Sequence, residues 1–479
     1  MIRLLKLLIG CLASFLLSHC DTTVTTVSKT RLERIRQSGT LHVLTRIDPT
    51  TYYQGPDGYT GLEYDLVTLF AQHLGVKLKI EVPNTFEEIL NKISSGEADI
   101  AAAGLTITEL RQQKMRFAPA YQEITEQLIY RSGTRRPTDV NDLKNGIIEV
   151  IKATSHVDTL KKLKQRSPQL SWEVNERLDT NGLLYLVNEG LIDYTIADSN
   201  QASLIRRFYP KLNTAFDISP PHQLAWALSP STDNSLHDEV VAFFNRIKAD
   251  KTLDQLLEKH YGHVSSLSYV DNCRFRRHQK SRLPQYRNYF NLAALEYSID
   301  WRLLAAIGYQ ESHWLANAIS PYGVQGIMML TNDTATQLNI KDRTNPAQSI
   351  DGGARYFRQR LKIISDKIPE PDRTWFALAS YNVGMGHLED ARRLTLQQGG
   401  NPDKWIDVKK RLPLLTQEKW HQQTKHGYAR GKEPVRYVEN IRSYYDLLVW
   451  LTEENQIQNH TMIPKKNTES ETGSTYVLK

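Results

Sequence analysis

A carboxylic acid that must give up a proton at neutral pH needs surroundings that keep it protonated, and one segment of this 479-residue chain offers them. Residues 305–314 read AAIGYQESHW, and the spacing of Leu304, Ile307, Glu311 and Leu315 puts Glu311 on the apolar face of a predicted helix. Burial penalises the charged form and raises a carboxyl pKa. A proton donor to a sugar leaving group works with its pKa raised toward ~6. A buried Glu tied into a structural hydrogen-bond network fits the same pattern. Glycosidases mostly use two carboxylates. The next acids along the chain, Asp333, Asp342 and Asp351, lie in polar stretches and read as helix caps or solvated turn residues. A single acid suffices where the substrate supplies the nucleophile, because one group can give a proton and then take one back.

Three segments follow: SPYGVQGIMMLT at 320–331, FALASYNVGMGH at 376–387 and VRYVENIRSYYD at 435–446. With the Glu311–Ser312 pair they resemble, in order, the four motifs of the soluble-type lytic murein transglycosylases, over about residues 270–455. The resemblance implies Glu311 as catalytic acid/base and Ser312 as the serine that orients the substrate or the acid. It implies Met328 as a residue lining the glycan groove, Tyr381 and Asn382 as contacts to the acid and to an acetamido group, and Tyr437 as a tyrosine bonded near the acid. Met329 stands where many relatives carry Gln, which bears on glycan contacts, and Ser380 stands for the usual Ala. The Met-Met version is similar to that of one membrane-bound subfamily. The implied partner is the peptidoglycan glycan strand and the implied product a 1,6-anhydro sugar. A muramidase hydrolysing the same bond is the chemical rival.

The elements that position these residues are helical. YRNYFNLAALEY, WRLLAAIGYQES, GGARYFRQRLKII and RTWFALASYN have helical spacing, consistent with a mainly α, lysozyme-like domain. The front half differs. LHVLTRI (41–47) and KLKIEV (77–82) read as strands flanking a helix at 63–75 that ends on Gly75, and 85–104 adds a helix and a strand. A similar run covers about 146–198. Such alternation predicts an α/β fold of two lobes with mostly parallel sheets. Residues 38–262 resemble the family-3 periplasmic solute-binding proteins. In GLTITELR (104–111) the resemblance implies that Arg111, with Thr106, clamps a ligand carboxylate. Asp198 would hold an α-amino group, Thr154 and Ser155 would meet the carboxylate from the second lobe, and Tyr53 or Tyr52 would stack on the ligand. Arg presents a bidentate fork to carboxylate, so an amino acid or peptide is the expected occupant. An ordinary salt bridge on a ligand-free scaffold stays open as the alternative.

Arg3 and Lys6 precede the apolar run LLIGCLASFLL, the pattern of an export signal over residues 1–19. Cys20 follows Leu17 at the lipoprotein-box distance, although His19 replaces the usual small residue. Acylation of Cys20 at a membrane surface, on the periplasmic side of the outer membrane, and plain signal cleavage are both open. The net charge of +7 becomes +5 without residues 1–19, too small an excess to imply a nucleic-acid partner. No metal-spaced Cys/His set, phosphate loop or nucleic-acid module occurs, so no cofactor, no metal and no nucleic acid are expected. The polar segment 458–479 reads as a disordered tail.

Overall fold

A computed structural model describes residues 29–461 except Asp57, Ser265 and Ser266, with side chains described as far as Thr452. The signal segment, Cys20 and the chain beyond Thr461 lie outside the described residues. The backbone is helical to Thr461, past the start of the expected tail.

The chain lays down β1 (Thr40–Leu44), the helix α1 (Leu62–Leu74), β2 (Lys77–Glu81), α2 (Phe86–Ser95) and β3 (Ile100–Thr106). These elements are punctuated by local chemistry: Gly75 ends α1 in the left-handed conformation, and the Thr85 hydroxyl accepts from Glu88 N–H to cap α2. The chain then crosses to a second lobe. There it forms β4 (Glu126–Arg131), β5 (Ile148–Ile151), α3 (Ser155–Lys164), β6 (Glu173–Asn175), β7 (Tyr194–Asp198) and β8 (Leu212–Asp217). It returns to the first lobe as β9 (His222–Leu228).

Both sheets are mixed. In lobe one β1 lies parallel between β2 and β3, and β9 runs antiparallel to β3. In lobe two β5 pairs parallel with β6 and β7, while β4 lies antiparallel between β7 and β8. The expected parallel units are present, and the antiparallel strands are those that follow a crossing between lobes. The helix Arg31–Ser38 also belongs to lobe one, where Ile35 joins Phe70, Trp226 and Phe243 in the core.

The second half is a helical domain. Its principal helices are α4 (Leu283–Tyr297), α5 (Trp301–Ser312), α6 (Pro346–Ile363), α7 (Asp372–Val383) and α8 (Lys432–Thr461). They enclose one apolar core containing Phe290, Tyr309, Trp314, Phe357, Phe376 and Trp405. Helix α5 packs against α8, α4 against α6, and α7 against both α6 and α8. Helix α5 stops at Ser312, and His313 and Trp314 both take positive φ, so Leu315 lies beyond the helix and is 42% exposed. Leu315 is therefore not on the apolar face with Glu311, as its spacing predicted; Leu304 and Ile307 on that face are fully buried.

The two halves meet along α8. Asp446 pairs with Arg207 of lobe two at 2.8 Å and with His263 at 2.6 Å. Arg442 is buried and bonds both the carboxylate of Glu258 and its carbonyl, and Lys409 reaches the same carboxylate at 2.8 Å.

Candidate active site

Glu311 sits one residue before the end of α5 and is half-buried. The Tyr437 hydroxyl, on α8, donates to its Oε1 at 2.6 Å. A second bond between the same helices runs from Asn440 Nδ2 to the side-chain oxygen of Gln310 at 3.1 Å. Burial pushes the Glu311 carboxyl up to about 7, against the opposing pull of the Tyr437 hydrogen bond. No neighbouring charge is needed to explain that rise. Asp342 accepts from Thr344, and Asp333 lies in the first turn of a short helix capped by Thr331. Asp351, expected in a cap or turn, lies inside α6, where it accepts from the Tyr297 hydroxyl.

Tyr381 packs parallel to Tyr437 with ring centroids 6.4 Å apart and edge-on to Tyr356 at 5.1 Å. Its hydroxyl donates to the carbonyl of Met328 at 3.1 Å, and burial and the nearby Glu311 charge hold its pKa well up. Asn382, the next residue, is exposed at the end of α7. Met329 is half-buried with φ of 47°.

Two expected site residues, the groove-lining Met328 and the orienting Ser312, are placed differently. The Met328 side chain is fully buried against Gly353 of α6, so the residue offers the site its backbone carbonyl rather than a groove-lining side chain. It is drawn inward because its N–H donates to the buried Ser349 hydroxyl at 3.2 Å. The Ser312 hydroxyl is also buried. It lies 2.9 Å from the carbonyl of Ile327 and accepts from Leu315 N–H, joining α5 to the 320–331 turn instead of facing solvent. Tyr356, Gln310, Asn440 and Ser349 carried no sequence signal, since their partners are distant in the chain.

In the front half Arg111 is buried between the lobes. It donates to the carbonyl of Thr106 in lobe one at 2.9 Å and to that of Ala153 in lobe two at 3.1 Å. Burial lowers its pKa to about 10, which leaves it charged at neutral pH. Its guanidinium lies 5.4 Å from the Phe86 ring centre, with Arg46 at 5.6 Å from the same ring. The hydroxyls of Ser155 and Thr106 meet across the lobes at 3.3 Å. Thr154 precedes α3, but its hydroxyl donates to the Ile151 carbonyl rather than capping the helix. Asp198 is buried, with His156 Nε2 3.0 Å from its Oδ1.

Tyr53 is elsewhere. It lines a cavity of about 260 Å³ with Arg207, His263 and Trp450, between the halves of the molecule, because the hairpin Tyr53–Thr60 turns toward α8. Tyr52 stacks on Tyr59 at 4.6 Å. His156 follows Thr154 and Ser155 directly, so its place in the cleft was within reach of the sequence; that of Glu126, opposite Asp198 in the ladder, depends on strand pairing.

Residues 40–263 match the family model of bacterial extracellular solute-binding proteins, family 3, and residues 288–403 that of the transglycosylase SLT domain. The chain is 50% identical over 430 residues to membrane-bound lytic murein transglycosylase F 1 of Alkalilimnicola ehrlichii, covering 90% of this chain and 87% of that one. It is 46% identical over 425 residues to membrane-bound lytic murein transglycosylase F of Pseudomonas syringae pv. syringae, covering 88% and 85% respectively. Among solved structures, the amino acid ABC transporter substrate-binding protein AbpA of Streptococcus pneumoniae, bound to L-arginine, aligns with 48% of this chain and 98% of its own at 25% identity, with a TM-score of 0.44.

Proposed function

The chain belongs to the membrane-bound lytic murein transglycosylase F family, peptidoglycan-cleaving lyases with an N-terminal solute-binding domain, and from that premise we propose that Glu311 is its single catalytic acid/base. In the protonated form Glu311 gives its proton to the glycosidic oxygen as the bond to C1 of N-acetylmuramic acid breaks. The sugar's acetamido oxygen steadies the positive charge developing at C1. Glu311, now a carboxylate, takes the proton of the sugar's own C6 hydroxyl, whose oxygen closes on C1. The product is a 1,6-anhydro ring, no water is consumed, and the acid is regenerated. Tyr437 holds the carboxyl in place, Tyr381 and the Met328 carbonyl build the wall beside it, and Asn382 and Met329 are the exposed or half-buried residues available to a glycan strand.

The observation that carries this reading is a lone carboxyl raised to about 7 by burial, bonded to Tyr437. Glu311→Gln keeps the shape and removes the transferable proton. Glycan cleavage should fall by more than the ~10²–10⁴ typical of acid–base assistance. Mass spectrometry of wild-type digests should give muropeptides lighter by one water than hydrolysed ones. Reducible ends throughout would make the enzyme a muramidase, and activity within tenfold of wild type in a folded Glu311→Gln protein would move the acid elsewhere.

A second reading concerns the front half. Arg111, Thr106, Ser155 and Asp198 gather at one inter-lobe cleft, which supports a ligand with a free carboxylate, an amino acid or wall-derived peptide, whose binding biases the enzyme. Calorimetry on wild type and on Arg111→Ala, Asp198→Ala protein, with glycan release followed in parallel, tests both parts. We also place the working units at 38–262 and 270–455, after a signal at 1–19 and before a tail that starts beyond the helix end at Thr461, with attachment to the outer membrane through acylated Cys20. No helix of the described residues is long and apolar enough to cross a membrane. Cys20→Ala should release the protein from washed membranes; retention without fatty-acid labelling would favour plain cleavage.

A further inference from the structure

Buried beside Asp198, where the two lobes meet, is a carboxylate that the surrounding hydrogen bonds leave unsatisfied. Glu126 opens β4 and lies opposite Asp198 in the antiparallel register with β7. It is fully buried, yet neither of its carboxylate oxygens accepts a hydrogen bond. A buried charge without donors is costly, so this group is poised for a cation.

Asp198 is in a different position. Its Oδ1 is already met by His156 Nε2 at 3.0 Å. Burial pulls the His156 pKa down, but the hydrogen bond to Asp198 and the charges of Glu126 and Asp198 outweigh it and raise the pKa, so the two residues satisfy each other. One atom from each of Glu126, His156 and Asp198 lies within 4.8 Å of the others. Arg111 enters from lobe one, feels the charge of both carboxylates, and donates hydrogen bonds to two carbonyl oxygens, those of Thr106 and Ala153.

Arg111 and Glu126 are thus the two poles of the cleft, and we propose that Glu126, rather than Asp198, receives the ammonium group of the cleft ligand while Arg111 takes its carboxylate. This rests on the cleft being a ligand site, as argued above. An ammonium carries three N–H donors for the two free oxygens. A bare divalent ion suits the three side chains by type, but it would sit beside the Arg111 charge in the same desolvated space, whereas a zwitterion brings its own carboxylate to that guanidinium.

The test is calorimetry on the full chain with the twenty L-amino acids, then with the N-acetyl derivative of the tightest binder, in wild type, Glu126→Gln and Asp198→Asn. Glu126→Gln should weaken binding by about 10- to 100-fold and flatten the preference for the free amine over the N-acetyl form, which a merely structural role would not do. Asp198→Asn should weaken it less. Unchanged binding in Glu126→Gln together with loss in Asp198→Asn overturns the assignment and leaves the cleft reading standing. No heat from any amino acid in wild type overturns the assignment, and no heat from wall-derived peptides as well removes the cleft reading. Stoichiometric Zn²⁺ binding that depends on Glu126 and is not displaced by amino acids makes the site a metal site and also overturns it. Should Glu126→Gln fail to fold, a crystal structure of wild type with the tightest binder decides: the ammonium nitrogen belongs about 3 Å from Glu126, and its placement on Asp198 instead refutes the proposal.

Discussion

Tyr437 and burial pull the Glu311 proton in opposite directions. The hydroxyl donates to the carboxylate and favours the charged form, while burial favours the neutral one and wins, leaving the pKa at about 7. Tyr437→Phe removes the opposing pull, so the alkaline limb of the pH–kcat/KM profile should move upward by roughly one unit or more. A limb that stays put would mean another group titrates there. The same shift has a stability consequence. Because the folded pKa lies above the ordinary glutamate value of 4.5, the contribution is full below about 4.5 and is lost as pH rises through 7. Glu311→Gln should therefore gain in melting temperature relative to wild type at pH 8.5 but not at pH 4, with at most ~3 kcal/mol at stake. Equal differences at the two pH values would contradict the burial argument.

The turn at 320–331 is the element that converts α5 and α6 into one site. Gln325 bridges to Ile319 and to Leu330, and Ser312 and Ser349 bind the backbone of Ile327 and Met328 from either side. Gly326 makes this possible. It has φ of 85°, and a Cβ there would lie 1.8 Å from the Arg343 carbonyl oxygen. Gly326→Ala must shift backbone rather than a side-chain tip, so it should cost ~1–3 kcal/mol or more and lower glycan cleavage. Thermal unfolding and the glycan-release rate check this, and a variant with wild-type values for both would show that the turn tolerates rearrangement.

At the scale of the molecule, α8 is shared. It carries Tyr437 to the acid and, about one and a half and two and a half turns on, presents Arg442 and Asp446 to both lobes of the front half. Its hydrogen-bonded partners His263 and Arg207 hold the Asp446 carboxyl far below the usual range against the effect of burial, and burial beside Arg442 and Arg207 lowers His263 to about 3. Asp446→Asn would leave Arg207, 3.0 Å from His263, without its counter-charge. Loss of a partner from a buried pair is worth ~3–5 kcal/mol; as Asp446 keeps some solvent contact, about 1–3 kcal/mol is expected here. Scanning calorimetry should show the unfolding of the two halves separating, and small-angle scattering an expanded particle. A single unchanged transition would show that Asp446 does not hold the halves together.

Helices and strands were legible from the chain alone because their signals are local: Gly75 closes α1, Thr85 opens α2, and apolar spacing marks α5. The motifs around Glu311, Tyr381 and Tyr437 were legible as well, through their resemblance, in order, to those of the soluble-type lytic murein transglycosylases. What they touch was decided by packing. Met328 reads as a groove residue and is buried because Ser349, twenty-one positions later, holds its N–H. Tyr53 reads as a ligand stack and faces α8 because its hairpin turns away from the cleft. The crossings that make β4 and β9 antiparallel, and with them the meeting of Glu126 and Asp198, arise from strand pairing between residues about seventy apart for β4 and about 120 apart for β9. Composition and periodicity are properties of neighbours along the chain; register and burial belong to neighbours in space, and only the folded structure determines those.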